Sequence, residues 1–124
     1  MSKIIIRKKI SHPESELQRA CVKWFRYQYF KLADMLFAIP NGGKRSPIEA
    51  AIMKGEGVRP GVADLFLMIP RHGHAGLWIE MKSESGKQTE YQKRFEDDAI
   101  SQGYRYRICR TLPEFIEAIN SYLK

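Results

Sequence analysis

The hexapeptide LWIEMK (77–82) constrains this chain more than any other stretch, because it is an apolar strand that carries a carboxylate and an ammonium. Leu77, Trp78, Ile79 and Met81 are material for a buried strand, whereas Glu80 and Lys82 interrupt it. Side chains alternate between the two faces of a strand, so Glu80 and Lys82 lie on the same face. Burying either charge is costly unless it is paired or holds a metal. Whatever fold the chain adopts must therefore supply a reason for this pair.

The surrounding elements can be read from their caps and periods. Ser11 three residues before Glu14 forms a capping-box pattern with Pro13 in the first turn, and Leu17, Ala20, Cys21 and Trp24 recur at helical spacing. This predicts a helix to about Phe30 or Leu32. Glu16 falls on a neighbouring stripe with Ala20, Lys23 and Tyr27, at the rim of the buried face. MLFAI (35–39) predicts a short strand ending in the Gly-rich loop PNGGKRSP, and Ser46, Pro47 and Glu49 start a brief second helix. ADLFLMI (63–69) and LWIEMK read as two strands joined by a short Gly-containing loop, an antiparallel hairpin. Thr89 with Gln92 opens a further helix that Gly103 closes, YRYRIC (104–109) alternates as a strand, and Thr111 with Glu114 opens the last helix. The order α-β-α-β-β-α-β-α predicts an α/β domain in which helices flank a central mixed sheet, with 1–124 as one domain.

Centring the hairpin in RHGHA (71–75) places Asp64 opposite Lys82 and Glu80 opposite Phe66. Opposed residues share a face and diagonal neighbours are about 7–8 Å apart, so Asp64, Glu80 and Lys82 converge near one end of the hairpin. A one-residue slip would scatter them. Two readings are open on geometry alone. Asp64 and Lys82 can form a plain cross-strand ion pair on a solvated edge. Alternatively, two carboxylates can hold magnesium or manganese, with the lysine beside a nucleophilic water or a phosphate, an arrangement suited to phosphodiester hydrolysis.

Charge bears on partners. The chain has 21 Lys and Arg against 14 Asp and Glu, net +7, with clusters at Lys3, Arg7, Lys8 and Lys9, at Lys44 and Arg45, and at Arg105, Arg107 and Arg110. A surplus of this kind favours nucleic acid over solubility alone as its explanation. Cys21 and Cys109 lie in apolar stretches without metal-type spacing and read as buried free thiols. The N-terminal apolar run, Ile4 to Ile6, is short of the roughly 7–15 residues of a signal-peptide core, and no stretch can span a bilayer. The chain is thus expected to be soluble and cytoplasmic, with no membrane partner.

GVAD (61–64) followed by IEMK (79–82) resembles the D…ExK core of the PD-(D/E)XK nuclease superfamily, and the chain resembles in particular the virus-type replication-repair nuclease (VRR-NUC) family. The likeness runs from about Glu14 to the last helix. It takes in Glu16, the loop Asn41, Gly42 and Gly43, the turn Gly61 to Asp64, then Glu80, Lys82, Gln92 and Gly103. One departure is Ala63, where the family commonly has proline; proline there would only stiffen the backbone.

The resemblance implies a restriction-endonuclease-like fold and a divalent metal, Mg2+ or Mn2+, held by Asp64, Glu80 and the backbone carbonyl of Met81. It implies that Lys82 positions or activates the water and that Glu16 joins the active site through water or a second metal. For Gln92 it adds a site role to the capping role that already accounts for it. Asn41, Gly42 and Gly43 with Lys44 and Arg45 are expected to contact DNA, Asn41 otherwise capping a strand end. Standalone members of the family are small, phage or bacterial, and similar in fold to Holliday-junction resolvases. The implied activity is a structure-selective deoxyribonuclease, a homodimer cutting four-way junctions in a bacterial cell or phage-infected host. A nuclease for flaps or single-strand ends is the alternative within enzymes, a restriction-type subunit would need an added specificity region, and the rival from another class is a catalytically silent basic DNA-binding module. His72 and His74 form an HxH pair without further ligands of the right kind nearby, which points to a loop role and not to zinc.

Overall fold

The computed structural model describes residues 12–40 and 45–124. The elements are α1 (Pro13–Gln28), a 3-10 helix (Phe30–Met35), β1 (Leu36–Ala38), α2 (Pro47–Gly55), β2 (Leu65–Leu67), β3 (Leu77–Met81), α3 (Glu90–Ser101), β4 (Arg105–Cys109) and α4 (Leu112–Leu123). The expected order holds, with the 3-10 helix added where the first helix was expected to continue. That helix stops at Gln28, and Tyr29 turns in with its ring stacked on Phe25. The Tyr29 hydroxyl donates to Asn120 of α4, so tertiary contacts end α1.

Three of the capping signals work as read. The side chains of Ser46, Thr89 and Thr111 accept from the N–H groups of Glu49, Gln92 and Glu114. The first does not: the N-cap of α1 is His12, without a side-chain cap bond, and Ser11 lies outside the described residues.

The sheet has the order β1-β2-β3-β4, antiparallel across β1, β2 and β3 and parallel between β3 and β4, with α3 as the crossover. Its two faces are covered differently. Leu65, Leu67, Leu77, Ile79 and Met81 point into a core completed by Cys21 and Phe25 of α1 and by Phe115, Ala118 and Ile119 of α4. Trp78 and Tyr106 point the other way, onto Phe95 and Ala99 of α3. Phe66 and Trp78 are paired across β2 and β3 with ring centroids 4.2 Å apart, and Phe95 meets Trp78 edge-on at 5.0 Å. Cys21 and Cys109 are free and buried; burial raises their thiols to about 12 and about 11, which keeps both protonated and inert at neutral pH. No helix among the described residues is long and apolar enough to cross a membrane.

The hairpin register differs from the symmetric one. Leu65 pairs with Ile79, Phe66 with Trp78 and Leu67 with Leu77, so the ladder extended by one residue sets Asp64 against Glu80 and not Lys82. The cause is the turn. His72 and Gly73 both have positive φ, 51° and 79°, between the bridged pair Arg71 and His74, the left-handed pairing that two-residue hairpin loops require. Between that bridge and the Leu67–Leu77 pair, the β2 side carries one residue more than the β3 side. Together these shift the register by two residues, and an even shift preserves every facing.

Gly61 shapes the approach to Asp64. It has φ 83°, and a Cβ there would lie 2.4 Å from the carbonyl carbon of Tyr91 and 2.7 Å from the amide nitrogen of Gln92. Only glycine lets the first turn of α3 pack directly on the loop that delivers Asp64.

Candidate functional site

The aromatic layer under α3 reaches β3 at Trp78, and Glu80 and Lys82 take the next two positions of that face. Glu80 is fully buried and Lys82 is 8% exposed. Their separation is 4.0 Å from Lys82 Nζ to Glu80 Oε2, beyond hydrogen-bonding distance. Across the sheet Asp64 is half-buried, its backbone held by Ile39 N–H donating to its carbonyl at 2.8 Å. Asp64 Oδ2 accepts from Met81 N–H at 2.7 Å. In a strand the N–H and C=O of one residue point to the same side, so the Met81 carbonyl is directed along the edge where Asp64 sits.

The two oxygens of Glu80 have different surroundings. Oε1 accepts from the Tyr106 hydroxyl and, at 3.3 Å, from Gln88 Nε2, which also donates to Glu96 at 3.0 Å. Oε2 is buried and has no hydrogen-bond partner. A carboxylate oxygen without a hydrogen bond in a protein interior costs several kcal/mol unless a cation answers it, and its ion-pair partner among the described residues, Lys82 Nζ, stands at 4.0 Å. Burial raises the Tyr106 hydroxyl far above its ordinary range, and the hydrogen bond to Glu80 adds to the rise, so Tyr106 remains a neutral donor. Removing it with Tyr106→Phe is expected to cost about 1.5–3 kcal/mol in urea unfolding, the range for a hydrogen bond to a charged group. A loss under 0.5 kcal/mol would show that Glu80 is not held this way.

The Asp64 carboxyl is pushed above the usual carboxylate range, first by burial and then by the negative charges of Glu80 and Glu14. The Met81 N–H and Lys82 oppose the rise. A carboxyl whose pKa is raised on folding favours the protonated native state. Its stabilising contribution is complete below the unfolded value of about 4 and is lost as pH climbs through the raised one. Above the raised value the ionised Asp64 therefore weakens the fold, and a divalent cation would relieve it.

The acid from α1 that reaches this site is Glu14. Its Oε1 accepts from Ser83 N–H at 3.3 Å and lies close to Gly86. Glu16, the expected participant, is exposed, and two residues round a helix put it about 200° from Glu14. The structure does not bring Glu16 to the cluster; the first turn of α1 sets the helix so that Glu14 faces the loop after Lys82. Gln92 is likewise occupied elsewhere. Its Oε1 accepts from Thr89 N–H at 2.8 Å, completing the capping box, and the glutamine that meets Glu80 is Gln88. Asn41, Gly42, Gly43 and Lys44 lie outside the described residues; Arg45 turns back to the sulfur of Met53 in α2.

The expected basic cluster of β4 is also largely engaged. Arg107 pairs with Glu117, and Arg110 donates to the carbonyls of Ser83, Glu84 and Gly86 at 2.8, 3.4 and 2.6 Å. Arg110 thereby pins the loop that covers Lys82 and meets Glu14. Sequence reasoning had no signal for Gln88 or Tyr106, because one is in a loop without periodicity and the other reads as an ordinary strand aromatic.

These donors suit a hard cation. No group of three His, Cys, Asp or Glu side chains that could hold a metal gathers among the described residues. A metal here would rest on Asp64, Glu80, the Met81 carbonyl and water, the manner of magnesium or manganese and unlike structural zinc. Asp64, Met81 and Ser83 open onto a cleft of about 1170 Å³ between α1 and the end of β1, and Glu80 and Lys82, the neighbours of Met81 in the chain, are buried beside it.

Comparison with other proteins agrees with this architecture. A family model described as the VRR-NUC domain matches residues 4–112. A solved structure titled "VRR_NUC domain protein" is similar at 28% identity and a TM-score of 0.79, over 93% of this chain and 91% of that one. A second, titled "VRR_NUC domain", has 18% identity and a TM-score of 0.57 over 90% of this chain and 99% of that one, which speaks to the fold alone. No curated protein matches the chain.

Proposed function

The chain belongs to the VRR-NUC family and so carries a nuclease-type domain, and from this premise we propose that it is a magnesium- or manganese-dependent, structure-selective DNA endonuclease. The observation that carries the proposal is the buried Glu80 Oε2, which has no hydrogen-bond partner among the described residues and only the Lys82 ammonium at 4.0 Å, at the end of the sheet it shares with Asp64. A DNA-binding module without catalysis gains nothing from two carboxylates turned toward phosphate.

Asp64, Glu80 and the Met81 carbonyl would hold the cation, with Tyr106 and Gln88 occupying Glu80 Oε1 so that Oε2 is the oxygen left to it. When bound, the cation supplies Lewis acidity at a phosphate oxygen and eases ionisation of water. In the reaction a water oxygen forms a bond to phosphorus as the bond to one sugar oxygen breaks. The water gives up its proton and the leaving oxygen acquires one. Lys82 places a positive charge beside this exchange, orienting the water and dispersing charge on the phosphate. Glu14, fixed by Ser83 N–H at the mouth, is placed to accept from the water or from a hydrated cation.

Selectivity for DNA structure is proposed because so small a domain has little to read base edges with, and phosphate contacts carry no sequence information. A homodimer presenting two such sites would cut a four-way junction symmetrically. The apolar surface of α2, with Ile48 and Ile52 exposed at 74% and 56% and no buried residue in the helix, suits a second copy of the chain.

The test is cleavage of a labelled four-way junction beside a flap, a duplex and a single strand in magnesium or manganese, with Glu80→Gln as the paired variant. Paired symmetric nicks lost in the variant are expected, together with a dimer mass in sedimentation at micromolar concentration. Cutting of the flap or single strand alone would keep the site and discard the junction. Failure to cut any of them would leave a basic DNA-binding domain.

A further inference from the structure

Helix α1 presents a graded stripe to the cleft. Its lining positions include Glu14, Gln18, Arg19, Val22, Lys23 and Arg26, successive turns of one face. The acid stands at the end near Asp64 and Ser83, and the cations follow toward the C-terminus of the helix. Arg19, Lys23 and Arg26 are all exposed, and none takes part in the ion pairs or hydrogen bonds found among the described residues. The opposite wall, Ala38, Ile39 and Pro40, carries no charge to answer them.

The ordinary account of a cation late in a helix is the macrodipole, and it covers Arg26 in the last turn. It does not cover Arg19, more than two turns from the end, and a repelling neighbour at four residues' spacing costs a few tenths of a kcal/mol. Three cations without a partner among the described residues line the same cleft as the Asp64–Met81 edge, so an anion entering it from outside the chain would meet all three.

We propose that Arg19, Lys23 and Arg26 form a phosphate track that grips one DNA strand in the cleft between α1 and the end of β1 and leads it to Asp64. This rests on the nuclease reading and names the surface that holds its substrate. Seven residues of helix span about 10 Å, room for the phosphates beside the one being cut. The acids at the far end then act on a backbone already held, with the repulsion between carboxylates and phosphate offset by the stripe.

The experiment measures affinity for a labelled four-way junction and a labelled single strand against salt, in calcium, with intact DNA verified on a gel. The full chain is compared with the triple variant Arg19→Gln, Lys23→Gln, Arg26→Gln and with Lys93→Gln, Arg94→Gln, Lys124→Gln, which removes equal charge from exposed positions outside the cleft. Glutamine retains helix propensity, and thermal unfolding verifies the fold of each. The slope of log affinity against log salt should fall by about 2–3 in the track variant, since each phosphate contact contributes about 0.7–0.9, and by less than one in the control. Equal changes in both, or an unchanged slope in the track variant while the wild type binds steeply, would overturn the track and leave the nuclease reading standing. No binding by the wild type would overturn both.

Discussion

Asp64→Asn is expected to bind DNA, to cut it at under about a thousandth of the wild-type rate, and to unfold at a higher temperature than the wild type in the absence of divalent cation. The opposite signs follow from one cause. Burial and the charges of Glu80 and Glu14 already disfavour the Asp64 anion, so an amide removes an electrostatic cost while its oxygen can still accept from Met81 N–H. Each kcal/mol of such relief raises the melting temperature by roughly 3–6 °C in a domain of this size. Catalysis loses what the anion was kept for. A bound cation supplies several kcal/mol of charge stabilisation, and about 4 kcal/mol is a thousandfold in rate. Manganese should raise the melting temperature of the wild type and leave that of the variant where it was. Undiminished cleavage by Asp64→Asn would remove the residue from the mechanism.

Lys82→Ala is expected to abolish cleavage and, unlike Asp64→Asn, to destabilise the metal-free protein by about 3 kcal/mol or more. The side chains of Lys82 and Glu80 are 10% and 1% exposed, and removing one partner of a buried pair leaves the other charge uncompensated. The double variant Lys82→Ala, Glu80→Gln should recover most of that stability, because no lone charge remains, while staying inactive. Urea unfolding of the four proteins closes the cycle. A single-variant loss below 1 kcal/mol would mean that water, and not Lys82, answers Glu80.

Much of this site was legible because the relevant sequence rule has period two. The hairpin register was displaced by the left-handed His72–Gly73 turn and by one extra residue before it, yet Asp64, Glu80 and Lys82 still share a face. Facing survives any even displacement. Helical neighbours have no such protection. The family resemblance placed the α1 acid at Glu16 while Ser11-x-x-Glu14 read as a cap, yet the phase of α1 about its own axis is set by what Cys21 and Phe25 pack against, and it turns Glu14 to the site. The glutamines reversed for a related reason. Gln92 satisfies a local rule and is spent on it, whereas Gln88 obeys none and meets Glu80.

The cations divide the same way. Arg107 and Arg110 look free in the sequence and are engaged in the structure, while Arg19, Lys23 and Arg26, spread through an amphipathic helix, are unpaired on one cleft. The order of the elements, three of the caps and the face shared by Asp64, Glu80 and Lys82 follow from spacing within a few residues along the chain. Which acid, which glutamine and which cations join them depends on the rotation of a helix and the path of a loop, and both are set by the packing of side chains far apart in the chain.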